Sequence, residues 1–306
     1  LERPDAGTLL DLQRAVESFE RAIALDSTFA AAWAGLADAN ALVLTYGFIR
    51  PEERFAAARE AALTAIRLDS LLAEPYASLG YLGLNYSWDW PQVDAWFARS
   101  TELDPNYATA HHWRSLSFNV HGRHDEALQA IRRARELDPV SLIVNRELGR
   151  AFYYQGANDS ALFYYRRTLE LEPTFQSAHV WIARALLAKG DAVGAVAQLR
   201  DRADFQGGHS SAVLAYAYAQ LGQREVAESI RAELEARARR EYVWPLYMAL
   251  VELGLGNRAR ALALLEQGAR ERSPQIPYLR VDPLFASLRG DPRFNEVLQI
   301  LGLPPR

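Results

Sequence analysis

The chain has 306 residues, half of them apolar, a formal net charge of −4 at pH 7 and no cysteine. The lack of cysteine excludes disulfides, thiol catalysis and cysteine-based metal sites, and the acidic balance disfavours direct binding of DNA or RNA, which usually requires a basic face. No apolar run reaches the ~18 to 20 residues that a membrane-spanning helix needs, so we expect no membrane insertion, with the cytoplasm as the favoured compartment and the periplasm as the alternative.

A short phrase, Leu-Asp or Leu-Glu followed by Ser or Pro, recurs along the chain at a nearly fixed interval. Its acidic residues are Asp26, Asp69, Asp104, Asp138 and Glu172, which lie 43, 35, 34 and 34 residues apart. A unit of about 34 residues with apolar positions at helical spacing is typical of a helix-pair repeat. Stacked repeats form a solenoid with a long surface and no single core. The sequence therefore predicts an all-α solenoid that binds other molecules rather than a catalytic cleft.

Each unit is expected to contain two helices, A and B, joined by a short turn. The chain opens in a helix B over Leu9–Leu25 with no helix A before it. We therefore expect the first unit to be incomplete and the chain to be a piece of a longer protein. Further along, glycines are expected to end several A helices in the left-handed cap conformation, and an aspartate follows three of them near the start of helix B. These residues are Gly122, Gly156, Gly190 and Gly222, with Asp125, Asp159 and Asp191.

Two stretches depart from the regular repeat, and a third is notable for its aromatic residues. The second unit exceeds the ~34-residue period by about nine residues, and the surplus falls over Thr45–Glu53. The stretch Gln206–Gly208 loosens the junction between the sixth and seventh units. Trp88-Asp89-Trp90 is interpreted as a buried aromatic clamp in which Asp89 caps the next helix, with a ligand-binding role as the alternative.

The repeat pattern stops at Ser273, so we divide the chain into a solenoid over residues 1–273 and a C-terminal region over residues 274–306. Pro274–Pro283 is predicted to be an extended, proline-rich connector. Leu284–Leu301 is predicted to form closing helices, with a helix beginning at Asp291-Pro292. A cap is expected because the last unit of a solenoid would otherwise expose its apolar face.

With these repeats laid out, the chain resembles the tetratricopeptide repeat (TPR) superfamily over Leu9–Arg272. More narrowly, it is similar to the C-terminal TPR regions of bacterial signalling proteins that carry a winged-helix, class III adenylate cyclase or serine/threonine kinase domain. The resemblance implies a right-handed superhelix whose concave face, lined by the A helices, binds peptides or protein segments. The stretches that carry it are Phe29–Asp38, Tyr86–Trp90, Asn106–Trp113, Val281–Phe285 and Asp291–Phe294.

The same resemblance implies which side chains face the groove. We expect Arg146, Arg150 and Arg184 to hold an acidic group of a peptide, because arginine pairs well with carboxylates. Aromatic side chains would pack the apolar residues of that peptide. The alternative is that Glu147 neutralises Arg150 or Arg184 and that Tyr153 or Trp181 belongs to the core. The full set of candidate groove residues is Asp38, Tyr81, Asn85, His112, Trp113, Asn119, Arg146, Arg150, Tyr153, Tyr154, Trp181, Arg184 and Tyr216.

No pattern in the sequence indicates catalysis, a cofactor or a metal. His111, His112, His121 and His124 are close in sequence, but they are spread over a helix and a turn rather than converging as metal ligands would, so we interpret them as surface or packing residues. The sequence favours a protein-interaction module, acting as the regulatory or sensory region of a larger bacterial signalling or transcription-regulating protein. A stand-alone scaffold or assembly protein is the alternative, and an enzyme a remote one. The expected partner is a protein or peptide, and an acidic segment is one option for it. Self-association of the chain into a homo-oligomer is a second open option.

Overall fold

The computed structural model describes residues 6–46, 54–202 and 208–305, and every regular element in these ranges is helical. The insertion predicted at residues 45–53 and the junction at residues 206–208 lie largely outside these ranges. None of the described helices combines the length and the apolar character needed to cross a membrane. The α-helices in chain order are α1 (Ala6–Leu25), α2 (Ala30–Tyr46), α3 (Phe55–Leu68), α4 (Glu74–Leu82), α5 (Trp90–Leu103), α6 (Ala108–Val120), α7 (His124–Leu137), α8 (Leu142–Gln155), α9 (Asn158–Leu171), α10 (Gln176–Ala188), α11 (Ala192–Leu199), α12 (His209–Gln220), α13 (Arg224–Ala238), α14 (Pro245–Gly254), α15 (Arg258–Arg270) and α16 (Pro292–Ile300).

The helices pair as the repeat predicts. After α1, which is a helix B, the even-numbered helices α2 to α14 are A helices and each packs against the following odd-numbered helix. Successive A helices also contact one another from α2 through to α14. Because the A helices lie side by side, they line the inner face of the solenoid and the B helices form its outer face. The all-α superhelix predicted from the sequence is confirmed.

Glycines set the spacing between paired helices. A Cβ atom on Gly149 of α8 would lie 2.4 Å from the ring of Tyr165 on α9, so any side chain there would force the two helices apart. Gly80 is in the same position against Phe97, at 2.7 Å. The turn glycine Gly156 serves a different purpose, since it ends α8 with φ +87°, a conformation that other residues adopt only at a cost.

The third unit has an irregular helix A. It continues beyond α4 as one turn of π-helix over Gly83–Ser87 and stops at Trp88, which has φ 57°. Asp89 then caps α5 by accepting a hydrogen bond from the backbone N–H of Gln92. Trp88 and Trp90 are both buried, which confirms the interpretation of this stretch as an aromatic clamp.

The C-terminal region differs from the prediction in one respect. The connector was predicted to be extended, but Ile276–Arg280 forms a 3-10 turn, and a second 3-10 turn follows over Pro283–Leu288. Ile276 and Leu279 are both buried. A 3-10 turn places residues three apart on the same side, whereas an extended strand would point them to opposite sides. The predicted helix start is confirmed, because Asp291 caps α16 by accepting from the N–H of Arg293.

This region folds back over the inner face of the solenoid instead of extending its end. Trp90 Nε1 donates to the carbonyl oxygen of Leu301 at 2.7 Å, and Arg280 Nη1 donates to that of His121 at 2.6 Å. Arg272 donates to the carbonyl oxygen of Ser87 at 3.2 Å. The last residues of the chain therefore contact the third and fourth units, and the C-terminal segment 275–288 covers the concave groove.

Candidate functional site

The site is a cavity of about 90 Å³ between the A helices and the C-terminal segment 275–288. The A helices from α2 to α14 provide one side, and Gln275, Tyr278 and Asp282 provide the other. Nine of the thirteen candidate groove residues line it, namely Tyr81, Asn85, His112, Trp113, Arg146, Arg150, Tyr154, Trp181 and Arg184.

Two of the three arginines share one carboxylate on the same helix. Glu147 contacts the guanidinium of Arg146 through one oxygen, and its other oxygen lies 2.8 Å from Arg150 Nε. Arg146 also donates to Ser177 Oγ of α10 at 2.8 Å. The alternative that Glu147 neutralises groove arginines is therefore realised for Arg150, and for Arg146 as well, but not for Arg184.

Arg184 is paired with the C-terminal segment. Its guanidinium donates to the carboxylate of Asp282, and both side chains are buried. The hydroxyl of Tyr153 donates to the same carboxylate at 2.9 Å, and the N–H of Leu284 donates at 3.1 Å. Asp282 thus serves as the N-cap of a 3-10 turn and as the counter-ion of a groove arginine.

Aromatic rings surround these charges. Tyr278 of the C-terminal segment stacks on Tyr154 with ring centroids 5.5 Å apart, and the Arg150 guanidinium lies 4.6 Å from the centre of the Tyr278 ring. Trp181 lies between two arginines, 5.3 Å from Arg150 and 5.1 Å from Arg184. Such cation–π contacts are strongest between desolvated groups, and the side chains of Arg150, Arg184 and Trp181 are all buried.

Burial and charge together fix the protonation states at the site. Burial acts to raise the pKa of Glu147, but Arg150 and Arg146 outweigh it and lower that pKa to about 2. Burial opposes the charge of Arg150 and of Arg184, but the facing carboxylates raise the pKa of both above the ordinary value. Glu147 is therefore ionised and these arginines stay charged over the whole physiological range.

The two histidines at the cavity are neutral. Burial lowers the pKa of His112 to about 4. Burial and the neighbouring Arg184 lower that of His209 well below its ordinary value. His209 also stacks on Tyr247 with ring centroids 4.7 Å apart, so it is packed as an aromatic ring rather than as a cation.

Four candidate groove residues lie away from the cavity. Asp38 of α2 accepts hydrogen bonds from Ser78 and, at 3.5 Å, from Tyr107. Asn119 is fully buried within α6, and Tyr153 is fully buried behind Asp282. Tyr216 is partly buried on α12 and does not line the cavity. The alternative that Tyr153 belongs to the core is therefore the one observed.

Sequence reasoning missed the residues that the C-terminal segment contributes, Tyr278 and Asp282. Both belong to the stretch interpreted only as a connector, although Asp282 lies in a motif that carried the family resemblance. Ser177 and His209 were also missed, and each sits in the first turn of an A helix. A signal was available for Ser177. It lies at the start of α10, the helix A that follows α8 in the repeat, and successive A helices are expected to lie side by side, which brings Ser177 to Arg146.

The clustered histidines do not form a metal site. His111 Nε2 lies 2.9 Å from the carbonyl oxygen of Pro105, and His121 Nδ1 lies 2.9 Å from that of Ser117. Across the described ranges, no group of three or more histidine, aspartate or glutamate side chains is arranged to hold a metal.

Comparison with known proteins agrees with this architecture. A tetratricopeptide repeat family profile matches residues 94–141 and 146–207. The human IFIT1 dimer with m7Gppp-AAAA superposes with a TM-score of 0.66 at 14% identity, over 87% of this chain and 70% of IFIT1. The APC/C hetero-tetramer Cut9-Hcn1 superposes with a TM-score of 0.59 at 14% identity, over 90% of this chain and 52% of the other.

Pseudomonas aeruginosa PilF superposes with a TM-score of 0.51 at 18% identity, over 72% of this chain and 95% of PilF. No protein of curated function matches the sequence significantly. At these identities the structural likeness establishes a shared fold. The profile match identifies tetratricopeptide repeats within residues 94–207, and the same helix-pair superhelix continues on both sides of this stretch.

Proposed function

We propose that this chain is a protein-interaction module that binds an extended polypeptide segment in its concave groove, and that it acts by binding rather than by catalysis. We propose further that it is the regulatory or sensory region of a larger bacterial signalling or transcription-regulating protein. The binding of a segment to the groove would then change the activity or the assembly of the attached domain.

The observation that carries this proposal is the contact made by the chain's own C-terminal segment 275–288. It places an acidic residue, Asp282, on Arg184 and an aromatic residue, Tyr278, against Arg150 and Tyr154. These are the two kinds of contact that a partner peptide would make with a groove of arginines and aromatic rings. A partner with an acidic residue about four positions after an aromatic residue would fit the same surface.

A segment tethered to the groove competes strongly with a free peptide. Its effective concentration is on the order of millimolar for a short linker, so a partner would have to displace it or find it already released. The C-terminal segment thus controls access to the groove, which is the property that a regulatory module needs.

The proposal is tested by peptide binding to a chain whose own segment has been loosened. A fluorescently labelled peptide of residues 274–286 would be titrated against the wild-type chain and against a Tyr278→Ala/Asp282→Asn double variant, with far-UV circular dichroism to verify the fold. We expect the labelled peptide to bind the double variant and to bind the wild-type chain only weakly. A peptide that carries Asp282→Asn should lose its affinity for the double variant. Equal and weak binding of the peptide to both chains would refute the proposal.

A scaffold role is the second candidate, and one observation favours it. The Cut9-Hcn1 neighbour is a hetero-tetramer, which shows that this fold can build an assembly. The IFIT1 neighbours were solved with m7Gppp-AAAA and with PPP-AAAA, but we retain a polypeptide as the ligand here. The net charge of −4 opposes the phosphate contacts that dominate nucleic-acid affinity.

A further inference from the structure

Several polar atoms at the cavity have no hydrogen-bond partner among the residues that the structure describes. Arg150 Nη2, Arg146 Nε and Arg184 Nε are buried and donate to no acceptor among the described residues, and His112 Nε2 is also buried there without a hydrogen-bond partner. All four side chains line the cavity and are at least nine-tenths buried. A buried polar atom without a partner costs free energy, so several around one cavity indicate a missing partner.

The charges at the cavity do not balance. Among the described residues that line it, three guanidiniums, from Arg146, Arg150 and Arg184, face two carboxylates, from Glu147 and Asp282. The two histidines that line the cavity add no charge, because burial lowers the pKa of His112 to about 4 and that of His209 well below its ordinary value. A surplus positive charge taken out of water is costly unless an anion accompanies it.

The volume limits what that anion can be. The cavity of about 90 Å³ exceeds the ~10–15 Å³ that one water needs and is smaller than the ~150 Å³ that accommodates benzene. A nucleotide or a peptide residue with a large side chain would not fit. A small oxyanion fits, because its oxygens accept several hydrogen bonds from guanidinium groups at once.

We propose that this cavity is a binding site for a small oxyanion, a carboxylate of the size of acetate or inorganic phosphate. The anion accepts hydrogen bonds from Arg150 Nη2 and from the free Nε atoms of Arg146 and Arg184, and it neutralises the surplus charge. Since Gln275, Tyr278 and Asp282 form one wall, the anion lies between the A helices and the C-terminal segment. This site does not depend on the proposed peptide partner, because it is formed by the chain alone.

The test uses the purified full chain in a Tris buffer with chloride as its only anion. Acetate and inorganic phosphate are added separately, and the thermal unfolding midpoint and the heat of binding are recorded. A ligand that binds only the folded state raises that midpoint in a saturable way. We expect one of the two anions to do so, which also distinguishes the carboxylate from the phosphate source, and additional chloride at equal ionic strength to have no such effect.

Two substitutions should move the affinity in opposite directions. Arg150→Met removes the surplus charge and a free donor and should weaken anion binding by about tenfold or more, whereas Glu147→Gln adds a further net positive charge and should strengthen it. Arg167→Met, which removes an exposed arginine paired with Glu170 on α9, is the matched control and should leave the affinity unchanged. Either cavity variant alone decides the question if the other does not fold.

An anion that copurifies would be detected by ion chromatography after the wild-type chain is unfolded. A stoichiometric anion that is missing from the Arg150→Met chain would support the proposal. The proposal is wrong if neither acetate nor phosphate shows saturable binding and no anion is released on unfolding. That result would mean that the cavity holds water only. It is also wrong if Arg150→Met and wild type respond alike.

Discussion

Tyr153 on α8 donates a 2.9 Å hydrogen bond to the carboxylate of Asp282, which lies 129 residues further along the chain. In most of a repeat protein each unit contacts only its neighbours, so this bond and the adjacent ion pair to Arg184 are exceptional. They join the fifth and sixth units directly to the C-terminal segment 275–288. Access to the concave groove therefore depends on a small number of buried polar contacts.

The first prediction concerns Asp282→Asn. The substitution leaves Arg184 buried without a counter-ion, and breaking such a pair typically costs about 3–5 kcal/mol. We expect faster hydrogen exchange over residues 276–288, with the B helices α7 and α9 unaffected. Asp291→Asn is the matched control, since Asp291 also precedes a proline and caps a helix, but its partner Arg258 is exposed. Equal protection in the two variants would show that the Asp282 pair does not hold the segment.

How much of this could be read from the sequence differs between the solenoid and its C-terminal region. The solenoid was predictable because the units repeat the same local signals, such as Gly190 after helix A and Asp191 at the start of helix B. The register of the repeat also brought Arg146, Arg150 and Arg184 to one surface. The return of residues 275–288 into the groove was not predictable, since it rests on contacts such as Asp282 with Arg184 that no periodic pattern encodes.

The second prediction is the pH dependence that Glu147 contributes. Its pKa is about 2 in the folded protein and 4.5 in an ordinary environment. Because the folded-state pKa is the lower one, the stabilisation is complete above about pH 5 and is lost as the pH falls towards 2, with a total on the order of 3 kcal/mol. We expect Glu147→Gln to lower the unfolding midpoint at pH 7 and to flatten its decline over this acid range.

Glu126→Gln is the control for that experiment, because Glu126 also pairs with an arginine three residues away but is exposed to solvent. Exposed pairs contribute little, so its acid profile should match that of the wild type. If the Glu147→Gln profile runs parallel to the wild-type profile as well, Glu147 is not the buried counter-ion described here.

The third prediction concerns Asp38, whose behaviour with pH is the reverse. Burial raises its pKa to about 7, against the effect of the hydrogen bond from Ser78. An acid with a raised folded-state pKa stabilises the fold below its ordinary pKa of 3.8, and this contribution disappears as the pH rises through 7. Asp38→Asn should therefore raise the free energy of unfolding at pH 8 by up to about 4 kcal/mol relative to wild type. The increase should be smaller at pH 5. An equal increase in stability at pH 8 and at pH 5 would contradict this prediction. So would the same increase from Asp69→Asn, which changes an aspartate on an exposed turn.

The most direct test of the central claim, that the C-terminal segment 275–288 binds the groove through Arg184 and Asp282, is a double-mutant cycle. The unfolding free energies of Arg184→Met, Asp282→Asn and the double variant would be measured by urea denaturation against the wild type. We expect the double variant to be less destabilised than the sum of the two single variants, with a coupling above about 1.5 kcal/mol. Additive effects, within about 0.5 kcal/mol, would mean that the two side chains do not interact and that the segment does not occupy the groove as described.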